Sequence, residues 1–153
     1  DIILVDTGAG LGQSVLDFIL AADEVLLVTT PEPTALTDAY AVMKAYSLHA
    51  DNKNLRIIVN RVYDEAESRD VLRKLQRTAE RFLRMPLEAL GSVYEDRNVM
   101  NAVKRQSPLL AAYPHTLASR CVEAIAKNLL YGGRHEVEWG WRGFLQRLLK
   151  FKD

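Results

Sequence analysis

The chain has 153 residues, enough for one domain with a sizeable core. Lysine plus arginine and aspartate plus glutamate number 20 each, so the net charge makes no electrostatic case for a nucleic-acid partner. A single cysteine excludes an internal disulfide framework and favours a reducing compartment.

The first ten residues combine an apolar run, a carboxylate and a glycine turn. The run predicts a strand over residues 1–6 that is covered on both faces. Asp6 would end this strand, where open α/β sheets bind ligands, and its oxygens suit Mg²⁺. Gly8 and Gly10 let backbone N–H groups approach an anion. The pattern is typical of a Walker B strand, so we expect the chain to begin partway through a nucleotide-binding domain.

Two other interpretations of the glycine turn stay open. A Rossmann fingerprint is disfavoured because Gly12 comes one position early for G-x-G-x-x-G and no acidic residue ends the next predicted strand. The glycines would otherwise serve only a tight turn between a strand and a helix. No G-x-x-x-x-G-K-[ST] phosphate loop occurs in the 153 residues, and we expect that loop to lie upstream of Asp1.

The rest of the chain alternates between helix and strand patterns. Helices are predicted over 13–22, 34–48, 65–84, 98–106 and 114–130, and strands over 24–29, 55–60 and 88–93. Thr34 is placed to cap the second helix. The third helix has apolar residues at the spacing of a buried face, namely Leu72, Leu75, Ala79 and Phe82. The alternation predicts an α/β fold: a partial, doubly wound parallel sheet of about four strands, the second half of a three-layer, Rossmann-like domain.

A glycine pair, Gly132 and Gly133, marks the predicted domain boundary. We expect a nucleotide-binding domain over 1–131, a linker over 132–138 and an amphipathic helix over 139–153. The apolar stripe of that helix is Trp141, Phe144, Leu145, Leu148 and Leu149, and its cations include Arg142, Arg147 and Lys150. These features favour an anionic membrane surface, and the alternative is a helix that packs on its own domain.

Several spaced motifs resemble the MinD/ParA family of deviant-Walker P-loop ATPases. They are Ile2-Ile3-Leu4-Val5-Asp6-Thr7-Gly8-Ala9-Gly10, the segment 22–39 with its Thr30-Pro31-Glu32-Pro33-Thr34 stretch, Val59-Asn60-Arg61, and Gly91-Ser92-Val93 followed by Asp96. The resemblance covers residues 1–131. Within the family, these residues look most like the flagellar-number regulators of the FlhG (YlxH) type.

The resemblance implies roles for individual residues. Asp6 would be catalytic, holding Mg²⁺ through water, and the residues implied to bind nucleotide are Gly8, Ala9, Gly10, Asn60, Arg61 and Asp96. Asn60 would read adenine, Asp96 would lie against the base or ribose, and Glu32 would lie near a second subunit. Two alternatives stay open: Asn60 satisfies backbone groups at a strand end, and Asp96 caps the helix that starts near Asn98.

The family further implies an ATPase with ATP and Mg²⁺ as cofactors, which forms an ATP-dependent homodimer and regulates flagellar number or placement. Its implied partners are a flagellar GTPase and switch or C-ring proteins, and its implied location is the cytoplasm and the membrane periphery. We expect this chain alone to be inactive because it lacks the phosphate loop. A partition or division-site ATPase and a non-catalytic interaction scaffold are the alternatives.

A stripe of cations on the third predicted helix bears on whether the protein binds DNA, as a partition ATPase would. The stripe consists of Arg69, Arg73, Arg77, Arg81 and Arg84, and five acidic residues are interleaved with it. A phosphate-binding surface would normally lack so many acids. The pattern therefore favours a solvated helix face with ion pairs at i,i+4 spacing over a DNA-binding surface.

Overall fold

The computed structural model describes residues 2–50, 54–132 and 148–149. The elements in chain order are α1 Gln13–Ala21, β1 Val25–Thr29, α2 Pro33–His49, β2 Leu55–Val62, α3 Glu65–Thr78, β3 Glu88–Tyr94, α4 Arg97–Lys104, α5 Leu109–Ala112 and α6 Leu117–Tyr131. A π-helical turn, Ala79–Leu83, continues α3. The α/β class is confirmed. None of the helices in these ranges is long and apolar enough to span a membrane.

The three described strands form one parallel sheet in the order β1-β2-β3. We call the edge where the strands begin the amino edge and the edge where they end the carboxyl edge. The central strand β2 supplies Ile57, Val59 and Val62, which are fully buried, because its apolar residues are covered by helices. Met43 of α2 and Leu75 of α3 belong to the same core.

The strand predicted over residues 1–6 is wrong for the described part of the chain. Residues 2–7 form no ladder, and the side chains of Ile2, Ile3, Leu4 and Val5 are 48% to 75% exposed. An apolar run becomes a strand only where a neighbouring strand supplies hydrogen bonds and packed layers cover its faces. Among the described residues, β1 pairs only with β2, and β3 pairs only with β2. Segment 2–7 therefore has no pairing strand and no covering layer in this part of the chain.

Two smaller predictions at helix ends also differ from the structure. Thr34 does not cap α2, because the helix begins one residue earlier with Pro33 and has Glu32 at its N-cap. Proline suits the first helical position, where its missing N–H would have no partner and its φ is already helical. The short helix α5 was not predicted, since four residues are too few for a periodic pattern.

The predicted inward position of Phe82 is wrong, and the cause is the π-helical turn. The backbone N–H of Arg84 bonds the carbonyl of Ala79, which adds a residue to this turn. Leu83 therefore packs against the core, whereas the Phe82 side chain is 63% exposed. An inserted residue changes the helical phase, which α-helical spacing does not anticipate.

A buried arginine joins all three strands at the amino edge. Arg56 Nε lies 3.1 Å from a carboxylate oxygen of Glu24, which precedes β1, and 3.1 Å from one of Glu88, which begins β3. Its Nη2 donates to the carbonyl of Gly132, 3.2 Å away, just after α6. The Arg56 side chain is 4% exposed, so both acids neutralise a cation held away from water.

We predict that Arg56→Met lowers the free energy of unfolding by about 2 kcal/mol, because the partly buried Glu24 loses its cation. Urea unfolding followed by circular dichroism measures the change. The control is Arg69→Met, whose 63% exposed side chain pairs with Glu65 on the helix surface and should change stability by less than about 0.5 kcal/mol. Equal losses of unfolding free energy in the two variants would show that the buried Arg56 cluster stabilises the fold no more than an exposed ion pair does.

Candidate functional site

The loops that follow the three strands meet at the carboxyl edge of the sheet. Thr30, Pro31 and Glu32 follow β1, and Tyr63 follows β2. After β3, the backbone N–H of Glu95 donates to the carbonyl of Val62 at 2.9 Å, which ties the last loop to β2. Open α/β sheets bind their ligands outside the carboxyl ends of the strands, so this edge is the candidate site.

A bulge at the end of β2 aims Arg61 into this edge. The pairing of β2 with β3 skips Arg61, and that residue has a left-handed φ of 59°. Its backbone N–H donates to Oδ1 of the preceding Asn60 at 2.9 Å. Bulges of this kind redirect a side chain at the end of a ladder. Here the redirected group is a guanidinium.

Arg61 links the loops that follow β1 and β3. Its guanidinium donates to Glu95 at 3.0 Å and lies 3.4 Å from Glu32. The hydrogen bond that Arg61 donates to Glu95, with the charges of Glu95 and Glu32, raises the pKa of Arg61 above its ordinary value. The ion pairs are exposed, so they orient the loops more than they stabilise the fold.

A cleft of about 220 Å³ lies beside this group. Its lining residues are Thr30, Pro31, Glu32, Arg61, Tyr63 and Glu67. Thr30 Oγ1 is buried without a hydrogen-bond partner among the described residues. The sequence did not identify Thr30, Tyr63 and Glu67 as cleft residues. Thr30 directly follows β1 and Tyr63 directly follows β2, and these positions were a usable signal.

Asp96 organises the start of two helices. Its Oδ1 accepts hydrogen bonds from the backbone N–H of Asn98 at 2.8 Å and from the Asn98 side chain at 3.0 Å. Its Oδ2 accepts from the backbone N–H of Ala118 in the first turn of α6 at 3.3 Å. The hydrogen bond from the Asn98 backbone is the main cause that holds the pKa of Asp96 below its usual range. The alternative interpretation of Asp96 as a helix cap is therefore present in the structure.

The remaining predicted site residues are placed differently. Asp6, Gly8, Ala9 and Gly10 lie in the exposed segment before α1, and no hydrogen bond or ion pair of the described residues joins Asp6 to Asn60. Gly10 has a left-handed φ of 98°. No heavy atom would lie within 4 Å of a Cβ at Gly8 or Gly10, so their backbone is open to approach. Asn60 is half-buried, and its Oδ1 is turned to its own chain as that alternative expected.

The predicted membrane helix over 139–153 lies outside the described residues, except for Leu148 and Leu149. Leu149 is 64% exposed. The linker predicted over 132–138 is described only at Gly132. Its backbone N–H bonds the carbonyl of Asn128, where α6 ends.

Comparisons with known proteins decide the family. No protein-family model matches the chain. The antiactivator FleN of Pseudomonas aeruginosa is 37% identical over 129 residues, which cover 84% of this chain and 46% of FleN. The flagellum site-determining protein YlxH of Helicobacter pylori is 35% identical over 156 residues, which cover 99% of this chain and 52% of YlxH. The chain belongs to the MinD/ParA family.

A solved structure has the same fold, and a plant protein agrees with the family. The MinD cell division protein of Aquifex aeolicus matches with a TM-score of 0.58 over 74% of this chain and 46% of MinD, at 23% identity, which shows that the fold is shared. The chloroplastic septum site-determining protein minD homolog of Arabidopsis thaliana is 35% identical over 85% of this chain and 39% of its own length. The chain spans about half the length of the first curated MinD/ParA relatives that it matches.

We predict that Asp96→Ala lowers the free energy of unfolding by about 2 kcal/mol at neutral pH, because α4 and α6 each lose a capping acceptor. The control is Asp64→Ala. Asp64 caps α3 alone through the backbone N–H of Glu67, so the loss should be about 1 kcal/mol. Urea titrations of both variants measure the difference.

The pH dependence gives this prediction a second readout. Because folding lowers the pKa of Asp96, its carboxylate contributes fully above the ordinary value of 3.8 and loses that contribution as the pH falls through the folded-state value. The stability gap between the native chain and Asp96→Ala should therefore narrow under acid conditions. A gap that stays constant from neutral to acid pH would contradict the charge-based cap.

Proposed function

We propose that the whole protein is an ATP-dependent dimerisation switch that regulates flagellar number or placement at the membrane. The observation that carries this proposal is the similarity to the flagellum site-determining protein YlxH over 99% of the chain, beside the similarity to the antiactivator FleN over 84% of it. Because the chain spans about half of those relatives, the activity is assigned to the whole protein and not to these 153 residues.

The phosphate end of the proposed site consists of Asp6 and the glycine turn. Asp6 would hold Mg²⁺ through a water and orient the attacking water, and a bound Mg²⁺ would supply positive charge to the phosphates. Gly8, Ala9 and Gly10 sense the γ-phosphate through their backbone amides. The left-handed φ of Gly10 and the open space beside it support this role, since a phosphate can approach the backbone closely there.

The base end of the proposed site lies at the carboxyl edge. Asn60 reads adenine through its side-chain amide, with Arg61 beside it. Asp96 lies against the base or ribose and positions the loop between β3 and α4, because both of its oxygens already accept backbone hydrogen bonds. The cleft lined by Thr30, Glu32 and Arg61 supports a polar ligand at this edge.

The switch itself is a change in subunit association. Two subunits enclose the nucleotides between them, Glu32 lies near the partner's face, and hydrolysis releases the dimer. Glu32 is 62% exposed and is held by Arg61, which suits a residue kept ready for a partner. The proposed protein partners are a flagellar GTPase and switch or C-ring proteins. The tail over 139–153 attaches the cytoplasmic protein reversibly to anionic lipid.

We predict that this 153-residue chain does not bind Mg-ATP tightly, whereas the whole protein does. Positioning and charge neutralisation are nearly the whole of phosphoryl-transfer catalysis, and the phosphate loop that supplies them does not occur in this sequence. Isothermal titration of both proteins with Mg-ATP provides the comparison. Micromolar binding of Mg-ATP by the 153-residue chain would contradict the proposal that tight binding requires the phosphate loop.

We also predict that deletion of the complete gene changes flagellar number or placement, as counted by electron microscopy. A reintroduced gene should restore the original pattern, and a copy that carries Asp6→Ala should not. The similarity to a septum site-determining protein supports placement of the division site as a second candidate function. Normal flagellation together with misplaced septa or mis-segregated DNA in the deletion strain would replace the flagellar role with division or partition.

A further inference from the structure

The π-helical turn exposes an aromatic ring at the amino edge of the sheet. Phe82 is 63% exposed, although a continuous α-helix would have turned it inward with Leu75 and Ala79. The guanidinium carbon of Arg81 lies 5.3 Å from the centre of the Phe82 ring. π-helical turns occur often at functional sites because the inserted residue costs helix stability. The exposed Phe82 has no structural role in the described core.

The cations of α3 divide into two groups. At the start of the helix, Arg69 pairs with Glu65 at 2.8 Å and Lys74 pairs with Asp70 at 2.6 Å. In the described part of the chain, Arg77, Arg81 and Arg84 at the end of the helix form no salt bridge. We call the exposed group of Arg77, Arg81, Phe82 and Arg84 the Phe82 patch. It joins unpaired positive charge to an aromatic surface.

The position of the Phe82 patch relates it to the tail. Helix α3 runs from the carboxyl edge back to the amino edge, where Glu88 begins β3. Arg56 joins Glu88 to Gly132 at this same edge. Residues 133–153 therefore continue from the edge that carries the patch. Leu48, near the end of α2, is 70% exposed, and α2 packs against the π-helical turn.

We propose that the Phe82 patch contacts an anionic lipid surface and forms a second membrane contact beside the tail. This inference rests on the proposed membrane association and extends it to the folded domain. The cations would lie at the headgroups and the Phe82 ring at the boundary with the acyl chains. Cations at a helix C-terminus also stabilise that helix, but this effect does not explain an aromatic ring held in water.

The consequence is a fixed orientation of the domain on the membrane. The amino edge, with the patch and the origin of the tail, faces the lipid. The carboxyl edge, with Arg61 and its cleft, faces away, so nucleotide, second subunit and protein partners reach it from solution. Two contacts on one molecule also bind more tightly than either alone through effective concentration.

The test is co-sedimentation of the whole protein with vesicles of phosphatidylcholine that contain about one-third phosphatidylglycerol. We expect the double variant Arg77→Gln/Arg81→Gln to bind about 25-fold more weakly at low salt, since each cation near such a surface contributes about fivefold. The loss should shrink at high salt because salt screens exposed charges. Phe82→Ser should weaken binding at both salt concentrations, because its contribution is apolar.

A matched control removes the same charge from the other end of the same helix. Arg69→Gln/Arg73→Gln should leave vesicle binding unchanged, because these cations lie toward the carboxyl edge and pair with acids of α3. An equal loss in this control would overturn the patch by showing that only net charge matters. Loss of binding to random duplex DNA in Arg77→Gln/Arg81→Gln, with unchanged binding to vesicles, would assign the surface to nucleic acid and overturn the lipid contact.

Tail variants separate this inference from the proposed function. If Phe144→Glu and Leu148→Glu abolish sedimentation while the patch variants bind like the native protein, the tail stands and the patch is overturned. If the patch variants lose binding and both tail variants keep it, the patch stands and the tail is wrong. If the native protein does not sediment with these vesicles at all, both membrane contacts are overturned.

Discussion

The sheet depends on one strand that carries an arginine near each end. Arg56 and Arg61 of β2 each pair with acidic residues beside the two neighbouring strands. Arg56 is buried, so its charge must be neutralised, and this requirement holds the starts of β1 and β3 beside β2. Arg61 is 56% exposed, and water competes for its ion pairs. The same residue type therefore makes a rigid amino edge and an adaptable carboxyl edge.

This difference suits a site that must change with its ligand. The loops at the carboxyl edge are joined by exposed ion pairs, whose small free energy permits rearrangement when a ligand binds. Asp96 is the exception, because it ties the starts of α4 and α6 together through backbone hydrogen bonds. The loop after β3 is thus held by backbone hydrogen bonds, beside the exposed ion pairs of Arg61 with Glu32 and Glu95.

The π-helical turn changes which side chains the end of α3 exposes to solvent. It ends α3 with Leu83 packed against the core and Phe82 in solvent, so one inserted residue creates an exposed aromatic ring without opening the core. A tight contact elsewhere shows how little room the interior has. A Cβ placed on Gly91 of β3 would lie 2.7 Å from Cγ1 of Ile125 in α6.

The sequence by itself determined the α/β class, the three described strands to within about two residues, and the family, because these follow from local periodicity and from motif order. It also placed Asn60, Arg61 and Asp96 near strand ends. It left open whether Asp96 caps a helix or lies against a nucleotide.

Only the tertiary structure decided which of these patterns is realised. Segment 2–7 has the composition of a buried strand but lies exposed. A strand needs a second strand to pair with, and the local sequence of a segment does not specify that partner. Phe82 has the spacing of a core residue and points outward, since helical phase depends on the hydrogen bonds of one turn. Arg56 finds Glu24, Glu88 and Gly132 only when distant segments meet. Local patterns encode what a segment prefers, and packing between segments decides what it becomes.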